Sequence, residues 1–164
     1  MTRLMALDVG SVRIGVALSD ASGFLASPYT TLRVSRDETQ IWEAIQRLIR
    51  ETEAQGLVVG LPISLDGEIH VQGAKVQAFV ERLKAHITIP VTFWDERLST
   101  VEAHRLRGEY EQEARGGRSR AGKARGGKEG RRKRKGQEID ALAAAVILQE
   151  YLDHLSSTYK DKTL

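Results

Sequence analysis

Three acids stand where the local chain gives no simple reason for them. Asp8 closes the apolar run Leu4 to Leu7, Glu96 follows the apolar segment that ends at Trp94, and Asp140 opens a largely apolar helical stretch. Singly, each has a plain explanation: an acid at a strand end begins a turn, and an acid in the first turn of a helix is favoured by the helix dipole. Together they read differently. An open α/β sheet gathers ligands at the carboxyl ends of its strands, where Asp8 and Glu96 both fall, and Asp140 needs only its helix packed against that edge. Three carboxylates in one patch repel one another unless a cation compensates. Oxygen-only ligation points to Mg²⁺ or Mn²⁺. The chain has no Cys and only four scattered His, at His70, His86, His104 and His154, so it offers no zinc set. Such a site suits phosphodiester hydrolysis by two cations about 4 Å apart, one activating water and the other stabilising the leaving oxygen. Asp8 would bridge both, with Glu96 and Asp140 each holding one side. Gly10, lacking a Cβ, would let a phosphate or cation approach the backbone.

The elements that must position these acids are legible from periodicity. Leu4 to Leu7 and Ile14 to Leu18 read as two strands joined by a tight turn, and the β-branched stretch Tyr29 to Val34 as a third, antiparallel strand. From Glu38 to Gln55 the apolar residues Ile41, Trp42, Ile45, Leu48 and Ile49 form a helical stripe that Gly56 closes. Leu57-Val58-Val59 is a strand buried on both faces, ending in Gly60-Leu61-Pro62. Val71 to His86 returns to helical spacing, and Pro90 to Trp94 is the next strand, ending in Asp95-Glu96-Arg97. Ser99 or Thr100 caps a helix towards Arg107, with Glu102 completing a capping box. A basic, Gly-rich stretch runs to about Gly136, and the last helix spans Glu138 to about Leu155. Strands alternating with helices in the second half imply parallel pairing through right-handed crossovers. The expected architecture is α/β: a mixed five-stranded sheet with helices on both faces.

Composition bounds the function classes. The 164 residues form one domain, with a flexible basic insertion at about 112–136. Without Cys there is no disulfide framework and no thiolate nucleophile, which suits a reducing cytoplasm. No apolar run approaches the roughly 18 residues needed to span a bilayer, and the chain opens directly into a strand, so neither a membrane span nor a signal peptide is expected. The net charge of +3 conceals an asymmetry. Arg115 to Lys135 holds eleven basic residues and one acid, a balance of +10, which leaves −7 for the rest of the chain. That asymmetry points to a polyanionic partner near the stretch, with a solvated, disordered charge run as the alternative.

Four motifs then resemble the YqgF/RuvX family: Leu7-Asp8-Val9-Gly10 with Arg13-Ile14-Gly15-Val16-Ala17, Gly60-Leu61-Pro62 with Asp66-Gly67 and Gln72, Asp95-Glu96-Arg97-Leu98-Ser99-Thr100, and Asp140-Ala141-Leu142-Ala143-Ala144. They stand in the family's order, and the resemblance covers the chain except the basic stretch. It implies an RNase H-like fold related to RuvC and a nuclease described both as a Holliday-junction resolvase and as a maturase of the 5′ end of pre-16S rRNA. Carried over motif by motif, the catalytic and metal-binding acids are Asp8, Glu96 and Asp140. The expected nucleic-acid contacts are Arg13 and Arg97 from the motifs and, on charge alone and not from the resemblance, Arg131, Arg132, Lys133, Arg134 and Lys135. Many RNase H-like nucleases carry an acid on the fourth strand, where this chain has Gly60-Leu61-Pro62, so a fourth ligand is not evident. Asp95 could substitute, but alternation sends Asp95 and Glu96 to opposite faces, and the motif favours Glu96.

Two other classes compete. Asp8-Val9-Gly10 with Gly15 also resembles the phosphate loop of actin-like ATPases and sugar kinases, but those enzymes close two domains around a nucleotide and need a longer chain. A nucleic-acid-binding factor without catalysis would use the basic run for affinity and keep the acids as structural residues. Within the nuclease reading, symmetric resolution of a four-way junction requires two sites related by a dyad, hence a homodimer, whereas trimming an rRNA precursor requires one site. With 5% aromatics and none interleaved in the basic stretch, backbone and shape contacts are expected to outweigh base stacking. The expected order is 5′ processing of pre-16S rRNA first and junction resolution second.

Overall fold

Leu4 to Val9 is apolar up to its last acid and forms strand β1; Arg13–Ser19 turns back as β2 and Ala26–Arg33 as β3. The structure, a computed structural model, describes residues 2–64, 66–96 and 128–161. Helix α1 (Glu38–Thr52), strand β4 (Gly56–Leu61), helix α2 (Val71–Lys84), strand β5 (Val91–Asp95) and helix α3 (Lys128–Asp161) follow. The helix expected over Ser99 to Arg107 lies outside the described residues.

The five strands make one sheet in the order β3-β2-β1-β4-β5. β1 pairs antiparallel with β2, and β2 with β3; β1 pairs parallel with β4, and β4 with β5. This is the expected mixed sheet. Alternation along each strand divides the core in two. Met5, Leu7, Ile14, Val16, Leu57 and Val59 face α1 and α2, where Ile41, Trp42, Ile45, Val76, Phe79 and Leu83 meet them. Ala6, Ala17, Val58 and Trp94 face the other way, against Ala144, Ala145, Ile147, Leu148 and Leu152 of α3. The small residues are concentrated on the α3 face, so that helix lies close to the sheet.

Element ends differ from expectation in two instructive places. α1 stops at Thr52, with Glu53 in the left-handed region (φ 56°), and Gly56 is already the first residue of β4. A single non-glycine residue thus ends the helix. Asp37 caps the other end, its carboxylate accepting from the Thr39 N–H at 3.0 Å.

The larger correction concerns the basic stretch. Residues 128–136, expected as the end of a flexible loop, belong to α3, which begins at Lys128, ten residues before the expected start at Glu138. Lys, Arg and Glu are strong helix formers and tolerate an occasional glycine such as Gly130 or Gly136. Periodicity could not show this, because no apolar residue lies between Ala124 and Ile139 to mark a buried face. The remainder of the insertion lies outside the described residues. Among the described residues no helix is long and apolar enough to cross a membrane.

Candidate active site

The acids are placed by register. Asp8 pairs with Gly15 across the β1–β2 ladder, two residues on from the Ala6–Ala17 pair that faces α3. Facing pairs in a ladder share a side of the sheet, so Asp8 lies on the α3 side. On β5, Trp94 faces α3 and Asp95 pairs with Leu61, a residue of the opposite core. Glu96 follows directly, and its carboxylate lies over Gly60: a Cβ built on Gly60 would stand 2.5 Å from Glu96 Oε1 and 2.7 Å from Ile147 Cδ1. Glu96 therefore shares the α3 face with Asp8, and Asp95 occupies a position of opposite parity. Both acids are half-buried.

Gly60 answers the question of the fourth strand. It sits one step past the Leu7–Val59 pair, beside Asp8, where a longer side chain would enter the volume that the Glu96 carboxylate uses. At this position β4 offers no side chain and leaves room for the Glu96 carboxylate and Ile147.

Asp140 reaches the same face by a different route. A Cβ on Gly15 would collide with the Asp140 carbonyl group, oxygen and carbon alike. The α3 backbone thus rests directly on the residue paired with Asp8, a contact that only glycine permits. The Asp140 side chain turns to Arg13, whose Nε donates to Oδ2 at 2.5 Å. The Arg13 guanidinium in turn lies against Gly136, where a Cβ would stand 3.2 Å from Cζ and from both terminal nitrogens.

This changes two readings. Asp140 lies twelve residues into α3, not in its first turn, so the helix dipole no longer accounts for an acid there. Gly10 likewise does not open the backbone to a ligand: its N–H donates to the Arg13 carbonyl at 2.9 Å, and a Cβ would stand 2.7 Å from that oxygen, so its small size closes the β1–β2 turn.

The expected set of acids is brought to one face but not into a closed cage. Among the described residues no group of three Asp, Glu or His is close enough to hold a metal ion together. The ion pair with the Arg13 guanidinium accounts for the direction Asp140 takes. The described histidines have other occupations: His70 pairs with Asp66 at 3.0 Å, His86 stacks on Trp42 at 5.4 Å, and His154 packs on Trp94 at 5.4 Å, while His104 lies outside the described residues. Arg97 lies outside the described residues. Arg131 to Lys135 lie on α3 about 8 to 14 Å along the axis from Asp140, at 1.5 Å per residue.

Glu96, at the strand terminus, was legible from its motif; the roles of Gly15 and Gly60 as spacers were not. Gly15 could have been found from the hairpin register, since it is the residue opposite Asp8. Nothing local marks Gly60, whose neighbour Glu96 comes from another strand.

Comparison with known proteins bears on this geometry. The family model RuvX, described as Holliday junction resolvase, matches residues 2–154. A protein of Thermoanaerobacter pseudethanolicus named "Putative pre-16S rRNA nuclease" is 44% identical over 151 residues, covering 92% of this chain and 96% of its own. Proteins of the same name from Roseiflexus sp. and Levilactobacillus brevis are 44% and 38% identical, covering 92% and 98% of this chain and 94% and 99% of their own. Among solved structures, T. thermophilus RuvC in complex with a Holliday junction substrate aligns with a TM-score of 0.51 at 14% identity, over 94% of this chain and 96% of that one. That likeness shows a shared fold.

Proposed function

We propose, from the premise that this chain belongs to the RuvX family and is a nuclease acting on nucleic acid, that it trims the 5′ end of pre-16S rRNA with divalent cations held by Asp8, Glu96 and Asp140. One observation carries the choice of site: Asp8 and Glu96, from strands at different places in the sheet, come to one face with the bare backbone of Gly60 between them. Two carboxylates on one face of the sheet, one of them seated where a Gly60 Cβ would otherwise stand, suit a small, hard cation with oxygen ligands, Mg²⁺ or Mn²⁺. Bound there, such cations supply Lewis-acid stabilisation of phosphate oxygens and an activated water at neutral pH.

The chain's own residues have distinct tasks in this reading. Asp8 and Glu96 supply the fixed negative charge. Asp140 is the third acid, carried by α3 where Gly15 pins that helix, and Arg13 holds and orients its carboxylate. Arg13 thereby serves Asp140 rather than the nucleic acid. Asp95, of opposite parity, stays out. Arg131, Arg132, Lys133, Arg134 and Lys135 bring a run of positive charge along the helix that carries Asp140 and hold the phosphate backbone beside the acids. Precursor rRNA as substrate implies a cytoplasmic enzyme acting through one site.

The description of the family model favours a second reading, resolution of four-way DNA junctions by a homodimer. Cleavage of a pre-16S 5′-leader RNA and of a synthetic four-way junction, measured side by side with Mg²⁺ or Mn²⁺, decides between them. Cleavage of the RNA at the mature 5′ end, with the junction left intact, is the expected result; paired symmetric nicks in the junction alone overturn it.

A further inference from the structure

A groove of about 520 Å³ runs between the edge strand β3 and the middle of α3, lined among others by Pro28, Tyr29, Thr31, Gln137, Ile139 and Leu142. Its helix wall, Gln137 to Leu142, belongs to the stretch of α3 that carries Asp140, although the Asp140 side chain itself turns to Arg13 and does not line the groove.

The strand wall is irregular where it matters. The β2–β3 ladder is broken between Val16 and Ala17, whose partners are Thr30 and Pro28, which leaves Tyr29 as the extra residue of a bulge. Bulges on edge strands re-aim a side chain. Tyr29 retains 49% of its surface exposed although it lines the groove. Beside it, the Thr31 hydroxyl donates to the Gln137 carbonyl at 2.5 Å and ties the two walls together, so the groove has a defined width.

The chemistry of the lining selects among the parts of a nucleotide. Pro28, Ile139 and Leu142 with the ring of Tyr29 are apolar and flat, whereas Thr30 and the Gln137 side chain offer donors and acceptors. Among the described lining residues the one charged group is the carboxylate of Glu138, which repels phosphate and accepts from a base or ribose. Positive charge follows along both walls: exposed Arg33, two residues past Thr31, pairs in register with Arg13, and exposed Lys135 stands two residues before Gln137 on α3.

We propose that this groove is a nucleoside subsite for the RNA strand being cut, in which one unpaired base stacks on Tyr29 while its phosphate lies towards Arg33 and Lys135. Its place next to the scissile bond rests on Asp140 belonging to the hydrolytic site; the binding of the base does not. Stacking on an aromatic ring is independent of base identity, so the subsite sets the position of the strand rather than its sequence.

The test is a binding cycle on the full-length protein, in EDTA, with short single-stranded RNAs carrying 2-aminopurine or an abasic residue at successive positions. One position should show quenched 2-aminopurine fluorescence. An abasic residue there should weaken binding about 5- to 100-fold. Tyr29→Ala should abolish the quenching and cause a loss of the same size, with no further loss when the two are combined; Tyr29→Phe should retain both stacking and affinity. No position-dependent quenching, or losses that simply add, would overturn the subsite. If Tyr29→Ala fails to fold, the abasic series on the wild-type protein and Tyr29→Phe decides the matter alone. Failure of the active-site assignment is read separately: it would show as undiminished RNA cleavage by Asp8→Asn or Asp140→Asn, whatever the binding cycle returns.

Discussion

Arg13 Nε and Asp140 Oδ2 lie 2.5 Å apart across 127 residues of sequence, and the pair joins the first hairpin to the last helix at the edge where Asp8 also stands. Three glycines shape it. Gly15 lets the Asp140 backbone settle on β2, Gly136 makes room for the guanidinium, and Gly10 closes the turn that presents Arg13. So specific an arrangement is more than a surface ion pair needs, and it is the ground for proposing Arg13 as a positioning residue for Asp140.

Arg13→Ala should therefore separate stability from turnover. The pair is partly exposed, at 41% and 26% for the two side chains, so its loss should cost under about 1 kcal/mol of stability. Turnover should fall about 10- to 100-fold, as for groups that orient a ligand residue, with KM little changed. Arg13→Lys should restore the charge but only part of kcat, because an ammonium lacks the planar Nε–H that meets Oδ2. A raised KM with intact kcat would instead make Arg13 a direct nucleic-acid contact.

Asp8→Asn should lower kcat by orders of magnitude while nucleic-acid binding persists or tightens, since a negative charge facing phosphate has been removed. Chelation of divalent cations should abolish cleavage by the wild-type protein, and Mg²⁺ or Mn²⁺ should restore it. Steady-state kinetics with and without EDTA check both; near-normal turnover in either case refutes the proposed site.

Glu96→Gln should reduce turnover far more than Asp95→Asn, because Glu96 overlies Gly60 on the face of Asp8 whereas Asp95 pairs with Leu61 of the opposite core. Comparable losses from both would mean that the end of β5 abandons alternation at this point.

Gly15→Ala and Gly60→Ala should fail in different ways. At Gly15 the new methyl meets the backbone of Asp140, which cannot rotate aside, so α3 must lift. We expect a loss of about 3 kcal/mol and a fall in Tm of about 6 to 12 °C. At Gly60 it meets the ends of two side chains, Glu96 and Ile147, which can move. There the stability loss should be about 1 kcal/mol, while activity drops because Glu96 is displaced. Thermal melts with parallel kinetics distinguish the two; equal melting points would contradict the packing described.

Neutralising Arg131, Arg132, Lys133, Arg134 and Lys135 together should weaken binding across many sequences. It should also flatten the slope of log K against log[salt] by about 0.7 to 0.9 for each phosphate that these side chains no longer neutralise. Turnover at saturating substrate should largely survive. An unchanged slope would show that this part of α3 does not touch the nucleic acid.

How much of this was legible beforehand depended on the range of the interactions. Strand runs such as Leu4 to Leu7, the stripe Ile41, Trp42, Ile45 and Leu48, and the placement of Asp8 and Glu96 at strand ends follow from alternation and helical spacing, which are local properties of apolar residues. The mixed sheet and the three acids could be named on that basis. The start of α3 could not, because Lys128 to Glu138 carries no apolar residue whose spacing would betray a helix. Nor could the partner of Asp140: an arginine 127 residues away meets it only because β2 and α3 pack through Gly15. Which residues carry charge and which faces are apolar are properties of the chain read in one dimension. That Asp140 turns to Arg13, that bare Gly60 leaves room for the Glu96 carboxylate, and that Tyr29 stands out on a bulge were settled only by folding. Each depends on chain segments brought together by a core to which these residues do not themselves belong.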